Sequence, residues 1–258
     1  MADEKLKEGL NIAKTLETKS NITCNEALIE YLRGDLKKSI QKLGPAIKHY
    51  SEEKYIGRVD ESPNLPFWLR GLIAFEQNDS KKLIEMIEWM EKRLSRHEEE
   101  TGSAVTATKY FRIYKLYVHL KTLNLQLNNK TNEVIEFVNE GRRIKKNMGF
   151  WASMFNVSYF YNEFAKILIQ NKEFNLASEL LKEAIEYNPN FAPARLNMAK
   201  IHLMNDNVEG ARLEFQKAQD NLSHADQDYI YAKEAVEFGK QLSTLDELNY
   251  LYPKIISR

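Results

Sequence analysis

Residues 158–223 read SYFYNEFAKILIQNKEFNLASELLKEAIEYNPNFAPARLNMAKIHLMNDNVEGARLEFQKAQDNLS, one pattern written twice. Aligning Ala177 with Ala211 also brings Ala165 onto Ala199, Leu181 onto Phe215 and Ala184 onto Ala218, an offset of 34 residues. In the first copy Tyr161, Phe164, Ala165 and Leu168 fall on one face of a first helix, and Ala177, Leu181 and Ala184 on the inner face of a returning one. Pro189 stops the second helix, since proline lacks the amide that would continue it. Ala165 and Ala177 leave room for two antiparallel backbones to approach, while Phe164, Leu168, Phe174 and Leu181 fill the space on either side.

A helix pair cannot bury its apolar face alone, so two copies predict more. Residues 1–19 read as an opening helix, with Leu6, Leu10, Ile12, Ala13 and Leu16 largely on one side. Looser copies follow over 20–50, 64–95 and 110–146. In the first, Ala27 takes the small position and Gly34-Asp35 the turn, and Pro45 is expected to kink or shorten the returning helix. Residues 51–65 carry Gly57 and Pro63, with Pro66 just beyond, and read as a connector. In the next copy Gly71 is the small residue and Asn78-Asp79 the turn, with Leu83, Ile87 and Met90 returning, while charged Arg93–Glu100 reads as a solvated helix end. The third turns at Asn128-Asn129. After the clear copies over 158–223, residues 224–258 are expected to cap the array with two helices, one over Asp226–Leu242 and one from Leu245.

The double copy resembles the tetratricopeptide repeat family. The family's helix-A positions fall on Tyr161, Phe164, Ala165 and Leu168, and its helix-B positions and terminal proline on Ala177, Leu181, Ala184 and Pro189. The second copy holds Arg195, Met198, Ala199 and His202, then Ala211, Phe215, Ala218 and Ser223. Arg195 and Ser223 depart from the pattern, and an array ending there accounts for both. The resemblance implies an all-α fold: a right-handed superhelical array of antiparallel helix pairs, a tetratricopeptide-like α-solenoid, with residues 1–258 as one domain.

Composition points the same way. With 43% apolar residues in 258 the chain can bury a sizeable core, and 10 glycines and 6 prolines argue against a sheet-and-turn architecture. Lysine plus arginine and aspartate plus glutamate each number 37, so no global field draws the chain to nucleic acid or an anionic membrane. The single cysteine, Cys24, excludes an internal disulfide and a cysteine-based zinc cage and reads as a packing residue. No run is long enough to span a bilayer, and the amino terminus lacks a signal-peptide core. A cytoplasmic protein is expected, with an excised extracytoplasmic domain as the other possibility.

No catalytic signature survives inspection, and neither a cofactor nor a metal is expected. Gly239-Lys240 lacks the earlier glycine of a phosphate loop, and His97-Glu98 has no second histidine one turn on. His224, Asp226 and Asp228 cluster, but helix capping explains Asp226. His119 and His202 fall on apolar helical faces and read as packing residues. Arg142, Arg143, Lys145 and Lys146 form a basic patch at a helix carboxyl end, where cations offset the macrodipole, and a local anion site is the alternative.

What remains is a groove lined by first helices. By register Asn162, Glu163, Lys166 and Ile169, then Leu196, Asn197, Lys200 and Leu203, point into it, with amides and ammonium groups suited to an extended peptide. Asn197 matches a position that members of the resembled family use to clamp a terminal carboxylate, but Gln227 and Tyr231 stand where that clamp needs basic residues, so it is not expected here. In the earlier half Trp68, Leu72 and Phe75 would face inward, with Leu116, His119 and Leu123 on the following copy as an apolar partner patch. The expected function is therefore a non-catalytic scaffold that binds a protein or peptide segment. The alternative is a C-terminal regulatory or sensory module of a larger signalling enzyme such as a protein kinase. By register Asn197→Ala with Lys200→Glu is expected to weaken partner capture and leave melting unchanged. Ala177→Leu and Ala211→Leu should each overpack a helix pair and cost about 1–3 kcal/mol in urea denaturation; unchanged midpoints would refute the register.

Overall fold

The computed structural model describes residues 2–52, 55, 63–101, 107–148, 154–223 and 225–251. Among them are twelve helices and no strand: α1 (Ala2–Ile12), α2 (Leu16–Leu32), α3 (Leu36–Tyr50), α4 (Leu65–Glu76), α5 (Ser80–Thr101), α6 (Ala107–Leu127), α7 (Thr131–Met148), α8 (Met154–Gln170), α9 (Phe174–Tyr187), α10 (Ala192–Met204), α11 (Val208–Leu222) and α12 (Ile230–Leu251). They fall into two compact units, Met1–Ala152 and Ser153–Arg258. No described helix is long and apolar enough to cross a membrane.

Each unit is built from closely packed helix pairs, α2/α3, α4/α5 and α6/α7 in the first and α8/α9 and α10/α11 in the second. Three residues join the members of every pair, and all five turns have one geometry. The middle residue is left-handed each time: Gly34 (φ 84°), Asn78 (54°), Asn129 (56°), Lys172 (64°) and Asp206 (58°). The amide of the third residue then donates to the carbonyl five residues back, as from Asp35 to Glu30, Asp79 to Ala74, Lys130 to Leu125, Glu173 to Leu168 and Asn207 to His202, at 2.8–3.0 Å. This is the Schellman closure, which satisfies carbonyls a helix end otherwise leaves without partners. Glycine takes the left-handed position without strain and asparagine with little, whereas Lys172 and Asp206 carry a β-carbon there. In three turns the third residue also caps the next helix: the amides of Lys38, Lys82 and Gly210 donate to Asp35, Asp79 and Asn207 at 2.9–3.0 Å.

In the C-terminal unit the small residues lie where the 34-residue register requires. Ala165, Ala177, Ala184, Ala199, Ala211 and Ala218 are all without solvent exposure. Leu196, Ala199, Ala211, Phe215 and Ala218 form one core with Ala235, Phe238 and Leu242 of α12. Arg195, the departure from the family pattern, pairs with Glu214 of α11 at 2.8 Å and donates to the Pro189 carbonyl at 2.7 Å, so it ties the returning chain to the next helix. Burial opposes ionisation of Glu214, but hydrogen bonds from Lys217 and Arg195 outweigh it and hold the carboxyl below its ordinary range.

Four expectations need correction. Helix α3 runs through Pro45 to Tyr50 and is not shortened; Gly44 and Pro45 are exposed, so the ring meets no neighbouring helix. The last segment is one helix, beginning at Ile230 rather than Asp226 and passing through Leu245 to Leu251. Asp226 instead accepts the Tyr229 amide at 3.0 Å in the turn before it. The opening helix stops at Ile12, and Leu16 already begins α2; Gly71, the small residue of its copy, makes room for the next first helix, because a β-carbon there would stand 2.7 Å from Leu120 of α6. Residues 53, 54 and 56–62 of the expected connector lie outside the described residues, as do 102–106 and 149–153.

The fourth correction concerns Arg93, which is not solvated but fully buried in α5 (0% exposed). Its guanidinium donates to Asn64 Oδ1 at 3.0 Å and to the Tyr50 carbonyl, and lies over the rings of Phe67 and Trp89, 5.0 and 5.1 Å from their centroids. Arg93 thereby fastens the end of α3 to the start of α4. The charged neighbours Lys92 and Glu91 mask this role in the sequence. Arg93→Leu would leave buried acceptors without their donor, and a loss of about 2–4 kcal/mol is expected in urea denaturation; an unchanged midpoint would show that the clamp does not hold the unit.

Candidate functional site: the first-helix face of the C-terminal unit

Helices α8, α10 and α12 occupy the first-helix place in three successive copies, so positions 34 residues apart form rows across them. One row is Glu163, Asn197 and Tyr231, and the next, one helical turn on, is Lys166, Lys200 and Glu234. The first row is interior. Asn197 Nδ2 donates to Asn162 Oδ1 at 2.9 Å, and Asn162 Nδ2 donates to Glu163 at 3.2 Å and to the Tyr231 hydroxyl at 3.4 Å. Tyr231 in turn donates to Glu163 Oε1 at 2.8 Å. Burial and the Glu163 charge push the Tyr231 phenol well above its usual value, so it stays protonated and serves as the donor. The same two causes push Tyr229 up to about 12.

The second row forms the outer edge of this network. Lys166 donates to Glu163 at 3.1 Å and sits 5.7 Å from the Tyr231 ring centroid. Lys200 reaches Asn197 Oδ1 at 3.4 Å and forms an ion pair with Glu234. Side-chain exposure is 33% for Lys166, 22% for Lys200 and 39% for Glu234. A buried carboxylate is costly unless paired and hydrogen-bonded, and Glu163 has a phenol, an amide and an ammonium around it. The result is a rigid polar floor with three charges at its rim.

Of the residues assigned to a groove by register, Asn162, Lys166, Asn197 and Lys200 do come together, but the two asparagines are buried and bonded to each other. Asn197→Ala therefore removes an interior hydrogen bond and cannot leave melting unchanged. Trp68 and Leu72 are buried in the N-terminal unit, where Trp68 Nε1 donates to His119 Nδ1 at 3.2 Å across α4 and α6. Leu116, His119 and Leu123 are buried as well, so the apolar patch expected there is the contact between two first helices, and only Phe75 keeps partial exposure. Glu234 escaped the reading by residue type, and Tyr231 entered it only as a departure from a carboxylate clamp, although carrying the 34-residue offset one copy further lands on both.

Other candidates carry less. Among the described residues no group of three or more histidine, cysteine, aspartate or glutamate side chains is placed to hold a metal ion, and His224 lies outside them. Arg143 pairs with Glu140 at 2.7 Å near the carboxyl end of α7, while the side chains of Lys145 and Lys146 are not among those described. Burial pushes the Cys24 thiol up to about 12, so it stays protonated. Tyr231→Phe keeps the ring and deletes the donor to Glu163, and a cost of about 1–3 kcal/mol in urea denaturation is expected; no change would mean that the phenol does not hold the floor together.

No curated protein matches the chain in sequence. Among solved structures it is similar to PilW, a type IV pilus biogenesis factor, at 16% identity and a TM-score of 0.48, covering 92% of this chain and 95% of that one. It is also similar to yeast Tom70, at 14% identity and a TM-score of 0.48, covering 100% of this chain and 61% of that one. A third likeness is to the TPR2AB domain of yeast Sti1 in its complex with pHSP90, at 20% identity and a TM-score of 0.34, covering 93% and 90%. Likenesses this distant carry nothing about what the chain binds. Residues 168–233, from the end of α8 into α12, match the family model of the tetratricopeptide repeat, so over that stretch the chain carries a tetratricopeptide repeat.

Proposed function

We propose that the chain is a non-catalytic interaction module whose C-terminal unit holds an extended protein segment along the face of α8, α10 and α12. The observation that carries this reading is the row Lys166, Lys200 and Glu234. These three charges are partly exposed, evenly spaced by the repeat, and fixed from beneath by the network of Asn162, Glu163, Asn197 and Tyr231. Charges already ordered before binding lose little side-chain freedom on binding, which is how a modest surface gains affinity. Lys166 and Lys200 offer ammonium donors to carboxylates of the partner.

A displayed library of random linear peptides, selected against the full chain, tests the reading. Segments that carry carboxylates are expected to be enriched. Binding of the enriched segments should fall about tenfold or more in the variant Lys166→Glu with Lys200→Glu. The reversal sets like charges beside Glu163 and Glu234, so the urea midpoint is expected to fall, and binding is compared where far-ultraviolet circular dichroism shows the variant folded. Equal binding by the folded variant would remove this face from the function.

A further inference from the structure

We propose that the row Lys166, Lys200 and Glu234 selects its partner by the order of charges along the segment: two acidic residues and then, at the α12 end, a basic one. This deepens the reading of the same face as a peptide site and rests on it. The argument starts from the repeat. Equivalent positions on successive first helices are separated by the distance between packed helix axes, about 8–10 Å. An extended chain rises about 3.3 Å per residue, so charges three residues apart meet successive members of the row. The third copy breaks the run of lysines, because Glu234 stands where Lys166 and Lys200 stand in the copies before it.

Glu234 is not idle in the unbound chain. It forms the ion pair with Lys200 across α10 and α12. A segment with the order acid, acid, base exchanges that pair without loss: its second acid takes Lys200 and its base takes Glu234, while its first acid takes Lys166. A wholly acidic segment sets its third carboxylate against Glu234 and displaces it from Lys200 with nothing to replace the pairing. A basic segment meets Lys166 and Lys200. Glu163 does not upset the order at the surface, since only 10% of its side chain is exposed and Tyr231, Asn162 and Lys166 already surround it. Selection thus comes as much from repulsion of the wrong order as from attraction of the right one.

The experiment uses serine-rich synthetic peptides with Glu, Lys or Ser in every combination at three sites three residues apart, with Kd for the full chain measured by fluorescence anisotropy. Glu-x-x-Glu-x-x-Lys, in either chain direction, is expected to bind about tenfold tighter than Glu-x-x-Lys-x-x-Glu of identical composition, since in the second order two attractive pairs, at Lys200 and Glu234, turn repulsive. In Glu234→Lys the optimum should move to Glu-x-x-Glu-x-x-Glu. In Lys200→Glu with Glu234→Lys, which reverses the internal pair and keeps the net charge, it should move to Glu-x-x-Lys-x-x-Glu. Equal binding of the two orders by wild type, or an optimum that stays put in folded Glu234→Lys, would overturn the charge order and leave the peptide site standing. Binding of every charged peptide no better than the all-serine one would overturn both.

Discussion

The structure depends on one backbone constraint, the three-residue turn that reverses each helix pair. Its middle residue must be left-handed, and its third amide must reach the carbonyl five residues back. With those conditions met in all five turns, the second helix returns against the first at a fixed distance and rotation. Everything the side chains do across a pair presupposes that placement. The position is filled by glycine once, by asparagine twice and by lysine and aspartate once each, so the geometry is held by its hydrogen bonds and not by one residue type. Strain at Lys172 and Asp206 is offset by the carbonyls that the turn satisfies.

Once the turn sets the approach, residue size decides the packing. Alanine at 165, 177, 184, 199, 211 and 218 lets the backbones of the C-terminal unit close, and Phe215 with Phe238 fills the remaining volume. Helix α12 sits in the place of a third first helix, but Lys233 occupies the position held by Ala165 and Ala199. Lys233, Glu237 and Lys240 form an exposed charged face, with Lys233 where the earlier copies present alanine to a returning helix. Its other face, with Ala235, Phe238 and Leu242, covers the core of the preceding pair. The N-terminal unit solves the same problem differently. It sets Gly71 of α4 against Leu120 of α6 and uses a buried arginine of α5 to tie the end of α3 to the start of α4.

Polar groups on the face of α8, α10 and α12 divide by depth. Those in the inner row satisfy one another, and their chemistry is spent on holding three helices in register. Those in the outer row keep part of their surface in water, and only these can exchange partners. The asparagines that suggested a binding site from their position are therefore interior support, and the lysines beside them, with Glu234, form the outer row that we propose as the binding surface. The recognition of the lysines was possible in the sequence because the repeat places them; the depth of the asparagines was not, because nothing local says that Tyr231 will reach across to Asn162, 69 residues away.

The sequence by itself determined the helical class, the 34-residue register over residues 158–223, the turns at Gly34, Asn78 and Asn129 and the family resemblance. These follow from short-range chemistry: helical spacing of apolar residues, small residues at fixed offsets, and residue types that tolerate a left-handed backbone. Only the tertiary structure decided the burial of Arg93, the continuity of α12 through Leu245, the pairing of Trp68 with His119, and the exchange of Asn162 and Asn197 from surface to interior. Each of these depends on which remote helix covers a side chain, and charge or polarity in a local window carries no information about that. Arg93 looks solvated among charged neighbours until Phe67, Trp89 and the ends of two other helices close around it.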